Sequence, residues 1–274
     1  MTKNAWECKS KTDRVLPVMD VKQGQVVHGL AGRREEYRPL RSRLVPSADP
    51  VQVARAFQER LGCQDLYLAD LDAICSGRSH PHLYSQLADL GLRLWLDAGV
   101  RSERDGLLLA QLPIFRVVLG LETLQGLEAV RSLCGRCDPE RFVFSLDLRD
   151  GQPLAGGVWP SRKPHDLVQA VADAGIRSII LLDLSRVGTG LGTGTEALCR
   201  QLRDRHPQRE WILGGGIGTV DDLRRAFAAG ASKVLVASAL HDGRLTPADW
   251  LCLAQTERTA PEEGTGPSAL GCQR

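Results

Sequence analysis

Two carboxylates stand at matching places in the chain. Asp20 falls in the apolar run VLPVMDV (15–21) and Asp147 in RFVFSLDL (141–148). A carboxylate pair suits acid/base chemistry, one member protonating a leaving atom while the other abstracts a proton. A single strand-end aspartate more commonly caps a loop or pairs with an arginine; the symmetric pair is what points to catalysis. A second chemical signal is GGGIGTVDD (214–222), followed by SALHDG (238–243). Glycines let backbone N–H groups approach an anion, and the start of a following helix favours phosphate. Gly215, Gly216 and Ser238 are therefore the candidate phosphate contacts, with a ligand-free glycine turn as the alternative.

The elements that would position these groups alternate along the chain. Strands are expected at 15–21, 65–70, 92–97, 115–120, 141–148, 177–184, 210–215 and 232–238, from short β-branched or leucine-rich runs. Helices are expected between them. DPVQVARAFQERLG has Asp49 as N-cap and Pro50 at the first helical position. TVDDLRRAFAAG opens on Thr219 and stops at Gly230, and KPHDLVQAVADAG stops at Gly175. Strands apolar on both faces, each followed by a helix, predict a closed parallel (β/α)8 TIM barrel, an α/β fold. The competing doubly wound sheet lacks its glycine-rich loop after the first strand. Residues 23–30 read as a hairpin extension. Ala31 to Asp49, with five arginines, reads as a long loop over the first strand's carboxyl end.

The chain also resembles itself. LYLADLD (66–72) matches IILLDLS (179–185). DAGVRSERD (97–105) matches GGGIGTVDD (214–222), and VLGLETL (118–124) matches LVASALH (235–241), both 117 residues apart. Two similar half-barrels are expected from this order.

The 274 residues carry a net charge of +2, with 43% hydrophobic and 25% charged residues, which gives no polyelectrolyte signal for nucleic acid or membrane. No run approaches the roughly 20 apolar residues of a membrane span, and MTKNAWECKSKTD has no signal-peptide core, so a cytoplasmic location is expected. Residues 1–13 read as a polar extension, 14–254 as the barrel and 255–274 as a disordered tail. Cys63, Cys75, Cys199 and Cys252 read as small hydrophobes, and the Cys134/Cys137 pair lacks the two further ligands of a zinc site, so no metal is expected.

LPVMDVKQGQVVHG, SLDLRDG, LGGGIG and DDLRRAFAAGASKVLVASAL resemble the paired histidine-biosynthesis barrels, over about residues 14–254. These are phosphoribosylformimino-aminoimidazole carboxamide ribotide isomerase (HisA) and the related cyclase subunit (HisF). The resemblance to HisA implies an Amadori-type aldose–ketose rearrangement of a phosphorylated aminosugar, with no cofactor. It implies that Asp20 is the general base at C2′ and Asp147 the general acid at the furanose oxygen. It also makes Trp159 either a stacking partner for the bound base or a packing residue, and matches Asp183 to the family's strand-six aspartate. His28 replaces the cyclase's lysine and is either a ligand contact or a hairpin surface residue.

The departures are specific. The family's first-half Gly-Gly-Gly is Asp97-Ala98-Gly99 here, its small hydroxyl residues after strand four are Leu121-Glu122, and an acidic loop residue is Val187. Carboxylates at 97 and 122 repel a dianion, so this end is expected to be lost for phosphate or rebuilt for a neutral or cationic group. The leading expectation is a HisA-like isomerase of histidine biosynthesis. The alternative is a divergent barrel that acts on, or only binds, one singly phosphorylated ligand outside that pathway. A phosphorylated small molecule is the expected partner, and a protein partner is left open.

Overall fold

The computed structural model describes residues 14–249. The expected extension at 1–13, Cys252 and the tail at 255–274 lie outside the described residues. Eight parallel strands form the barrel: β1 (Val15–Lys22), β2 (Asp65–Asp70), β3 (Arg93–Asp97), β4 (Arg116–Gly120), β5 (Phe142–Arg149), β6 (Ser178–Asp183), β7 (Glu210–Gly214) and β8 (Lys233–Val236). Each pairs with its predecessor, and β8 closes on β1 through Val15↔Val234, Leu16↔Leu235 and Pro17↔Val236.

Seven longer helices lie between or after the strands: α1 (Pro50–Leu61), α2 (Pro81–Asp89), α3 (Glu103–Ala110), α4 (Leu127–Arg136), α5 (Pro164–Asp173), α6 (Glu196–Arg205) and α7 (Val220–Ala228). Their starts follow from the sequence. Asp49 caps α1 by accepting from Gln52 N–H, with Pro50 in the first turn, where its missing donor costs nothing. Ser102 with Asp105 and Thr219 with Asp222 form reciprocal capping boxes on α3 and α7. These two boxes are 117 residues apart, so the internal repeat is visible as duplicated local chemistry.

The strand period of two sorts side chains into two cores. Val15, Met19 and Val21 face outward into the layer under the helices. Leu16, Val18, Tyr67, Ala69, Trp95, Val118, Val143, Ile180, Ile212 and Leu235 fill the barrel interior. Each fully buried aliphatic side chain contributes roughly 1.5–3 kcal/mol, so a one-residue slip of any strand is strongly disfavoured. The floor is polar and paired. Arg116 donates to Glu210 (2.7 Å) and Ser178 (2.9 Å), and Lys233 lies 3.2 Å from Asp65.

The expected hairpin is present: Gln25–His28 runs antiparallel to β1. The arginine-rich loop that follows forms a short 3-10 turn at Arg34–Glu36 and a two-residue strand at Arg38–Pro39. Lys22 Nζ ties it to the barrel by donating to the Arg34 carbonyl at 2.7 Å. Cys63 and Cys199 are buried as expected, whereas Cys75 is exposed, because it falls on the solvent side of the short helix Leu71–Ser76.

Candidate active site

The inward period that packs the interior also delivers the carboxylates. Asp20 is the third inward residue of β1 after Leu16 and Val18, and Asp147 follows Val143 and Ser145 on β5. β1 and β5 are diametrically opposed in a ring of eight, so the two carboxylates face each other across one cavity at the barrel mouth. Room for it comes from small residues set between the acids. Ala69 on β2 is paired with both Asp20 and Asp97, leaving those two carboxylates converging over a methyl group. Gly120 on β4 does the same beside Asp147: a Cβ there would stand 3.2 Å from Asp147 Oδ2.

Asp147 accepts from Ser145 Oγ (2.6 Å) and from the Glu122 N–H (3.1 Å). Asp97 accepts from Tyr67 Oη (3.2 Å) and the Gly99 N–H (3.1 Å). Asp20 has no hydrogen-bond or ion-pair partner among the described residues. Arg34, from the loop over the mouth, forks onto Glu122 with N···O distances of 2.6 and 3.0 Å.

Burial raises all three aspartates by disfavouring their charged forms. Asp20 is pushed up to about 7, chiefly by burial, with Arg34 opposing and Asp97 assisting. Asp147 is also pushed up to about 7, by burial against the Ser145 hydrogen bond, with Asp97 adding repulsion. Asp97 rises to about 6, its burial outweighing the Gly99, Arg34 and Tyr67 contributions. Groups titrating near neutrality are matched to proton transfer in both directions.

Gly215, Gly216 and Ser238 line the same cavity beyond β7 and β8, together with Arg244. Gly216 sits at φ +77°, and a Cβ on it would collide with the Gly192 carbonyl. Glycine is thus required there by backbone conformation and by close approach.

Three expected site residues are not brought to this cavity. Trp159 lies behind β5, its ring 5.7 Å from that of the outward-facing Phe144. The segment carrying it is tethered to the β4–α4 loop, where Gly156 N–H donates to Leu121 O and Val158 N–H to Gln125 O. Asp183 is spent on the chain itself. It accepts from the N–H groups of Asp150, Gly151 and Ser185 and from Ser185 Oγ, binding the turn after β5 to the end of β6. Burial pushes it up, but those four bonds outweigh it and hold Asp183 below the usual carboxylate range. His28 hydrogen-bonds the Arg41 carbonyl at 3.2 Å and lines a shallow groove next to Ser238 and Arg244, outside the cavity wall.

The sequence did not single out Arg34, Tyr37, Tyr67 or Arg244, all of which line the cavity. Tyr67 was within reach, since it precedes Ala69 on the inward face of a strand already assigned. Arg34 and Arg244 sit in irregular segments, where no period tells which way a side chain turns. The Asp70–Asp72–His80 group outside the cavity offers three ligand-type atoms, but Asp70 is satisfied by Ala73 N–H, His80 and Tyr84.

Comparison with known proteins agrees with this architecture. A protein of Thermus thermophilus is 32% identical over 236 residues, covering 85% of this chain and 96% of its own. It is named as an isomerase of an imidazole-4-carboxamide that bears two 5-phosphoribosyl groups. A Halobacterium salinarum protein of the same name is 31% identical, covering 86% and 94%. An uncharacterised Methanocaldococcus jannaschii protein is 30% identical, covering 85% and 95%. The family model described as "Histidine biosynthesis protein" matches residues 14–246, the whole barrel with its mouth, and this chain belongs to that family.

Proposed function

We propose that the protein is a HisA-like isomerase that converts a phosphorylated N-glycosylamine to the corresponding aminoketose by paired-aspartate catalysis. One observation carries the reading: Asp20 and Asp147 reach a single cavity from opposite strands, with the Gly215–Gly216–Ser238 wall available to a phosphate. Protonated Asp147 gives its proton to the furanose oxygen, the C1–O bond breaks, and the nitrogen lone pair forms the C1=N bond. Ionised Asp20 then removes the C2 proton. The C2–H electrons form C1=C2 while the C=N electrons return to nitrogen, and the enaminol becomes the ketone as the C2 hydroxyl gives up its proton and a proton is added at C1. With both groups near pH 7, each is available in the form its step needs.

The histidine-pathway substrate of the named relatives has two phosphoribosyl groups. A specific observation favours a singly phosphorylated substrate instead: Asp97 and the Glu122–Arg34 pair occupy the end of the cavity away from the glycines. The test is turnover of a panel of 5-phosphoribosylamines, the relatives' substrate included, in deuterium oxide. An aminoketose carrying solvent deuterium at C1, and lost in Asp20→Asn, is expected. The reading fails if no panel member is isomerised, or if Asp20→Asn turns over at the native rate.

A further inference from the structure

The cavity has two chemically opposite ends. At one, Gly215, Gly216 and Ser238 line the space, with Arg244 beside them holding Asp242 through Nε at 2.7 Å and keeping its terminal nitrogens for a further acceptor. At the other, Asp97 and Glu122 face the same space, flanked by Asp20 on one side and Asp147 on the other, with one cation, Arg34, and both Arg34–Glu122 contacts are already made. Asp20, Asp97 and Asp147 have no ion-pair partner among the described residues. Two tyrosines, Tyr37 and Tyr67, line this acidic end as well, and Tyr67 holds Asp97 by its hydroxyl. Aromatic rings beside carboxylates attract cations, and the Tyr67 hydroxyl, a donor that a phosphate could use, is given to Asp97. The backbone adds to the exclusion. Gly99 N–H, which might have met an anion, is turned onto Asp97 Oδ1, and the Glu122 N–H is taken by Asp147.

We infer that the substrate has a single phosphate, seated at the Gly215–Gly216–Ser238–Arg244 end, and a protonated amine at its other end, held by Asp97 between Tyr67 and the Arg34–Glu122 pair. This rests on the proposed function for the location of the site, but not on its chemistry. An ammonium there gives Asp97 an ion-pair partner that the described residues do not supply, and a nearby cation favours the charged form of aspartates that burial raises. The Arg34–Glu122 pair acts as the selector: its arginine would welcome a second phosphate, and Glu122 occupies it.

The test is a calorimetric series on the intact protein, using ω-aminoalkyl phosphates of two to six carbons, the matching alkyl phosphates and the matching α,ω-bisphosphates. The best amino compound should bind about tenfold tighter than its alkyl match, the scale of one charge-assisted hydrogen bond. The bisphosphate should bind no tighter than the alkyl phosphate. Asp97→Asn should erase the amino advantage while moving alkyl phosphate affinity less than about threefold. Glu122→Gln frees Arg34 and should strengthen bisphosphate binding, which decides the matter even if Asp97→Asn fails to fold. The inference is overturned if the bisphosphate is the tightest ligand of the native protein. It is equally overturned if amino and alkyl compounds bind alike, if no amino compound binds at millimolar concentration, or if a folded Asp97→Asn keeps the advantage. These are equilibrium readouts, so they can succeed where the isomerisation test fails, or fail where it succeeds.

Discussion

Asp20 and Asp147 are chemically alike and are distinguished only by what surrounds them. Asp147 is held by two donors, whereas Asp20 has none among the described residues. A held carboxyl can deliver its proton along a fixed line, and an unheld one is free to meet a C–H bond. Asp20→Asn and Asp147→Asn are each expected to lower kcat by at least about a hundredfold with little change in product-analogue affinity, measured by steady-state kinetics and calorimetry. The native pH–rate profile should be a bell centred near 7, its limbs belonging to the pair together. Asp97 raises both partners, so Asp97→Asn should move both limbs toward lower pH. The same shifts bear on stability. A carboxyl whose folded value is raised above its ordinary 3.8 stabilises fully below that pH, and its contribution is lost as pH rises through about 6 to 7. The native melting temperature should therefore fall between pH 5 and pH 8. In Asp97→Asn the fall should be smaller by about 2–4 °C, as read by calorimetry.

At the scale of elements, the two halves share their helix starts but not their loops. The capping boxes at Ser102 and Thr219 are equivalent, and Asp70 and Asp183 both cap the turn that leaves their strand. That equivalence was legible in the repeat LYLADLD/IILLDLS, and it shows why Asp183 is a loop-building residue. Its partner Asp70 accepts from Ala73 N–H in the same way. The halves diverge where Asp97-Ala98-Gly99 stands opposite Gly214-Gly215-Gly216. Gly216→Ala is expected to weaken inorganic phosphate binding at least about tenfold, because the loop must shift to clear the Gly192 carbonyl. Ala98→Gly, where the family has glycine, should leave that binding unchanged. Titration calorimetry with phosphate separates the two. An equal loss in both variants would remove the glycine wall from the phosphate site.

At the scale of the whole molecule, the floor of the barrel is a polar layer whose hydrogen bonds and ion pairs cross from strand to strand. Arg116 spans from β4 to Glu210 on β7 and Ser178 on β6. Burial raises Glu210, but Arg116 outweighs it and holds Glu210 below its usual value. Arg116→Met removes the main counter-charge of that half-buried carboxylate, leaving it the Ser178 hydrogen bond and the nearby Lys233, and should cost about 2 kcal/mol of stability at neutral pH by denaturant titration. A depressed carboxylate stabilises only above its ordinary 4.5 and loses that contribution as pH falls, so the penalty should shrink near pH 4. The barrel, its strand positions to within about two residues, the caps at Asp49 and Thr219 and its duplicated halves follow from period, caps and glycines in the sequence, because these are local physics repeated in order. The same period fixed the inward direction of Asp20 and Asp147. What only the tertiary structure decided lies in the segments without a period. It brought Arg34 across the mouth onto Glu122, 88 residues away, and Arg244 to the glycine wall. It sent Trp159 behind β5 and spent Asp183 on the chain. Irregular backbone takes its course from whichever distant donors and acceptors remain unsatisfied once the barrel has closed, and no local pattern records which those will be.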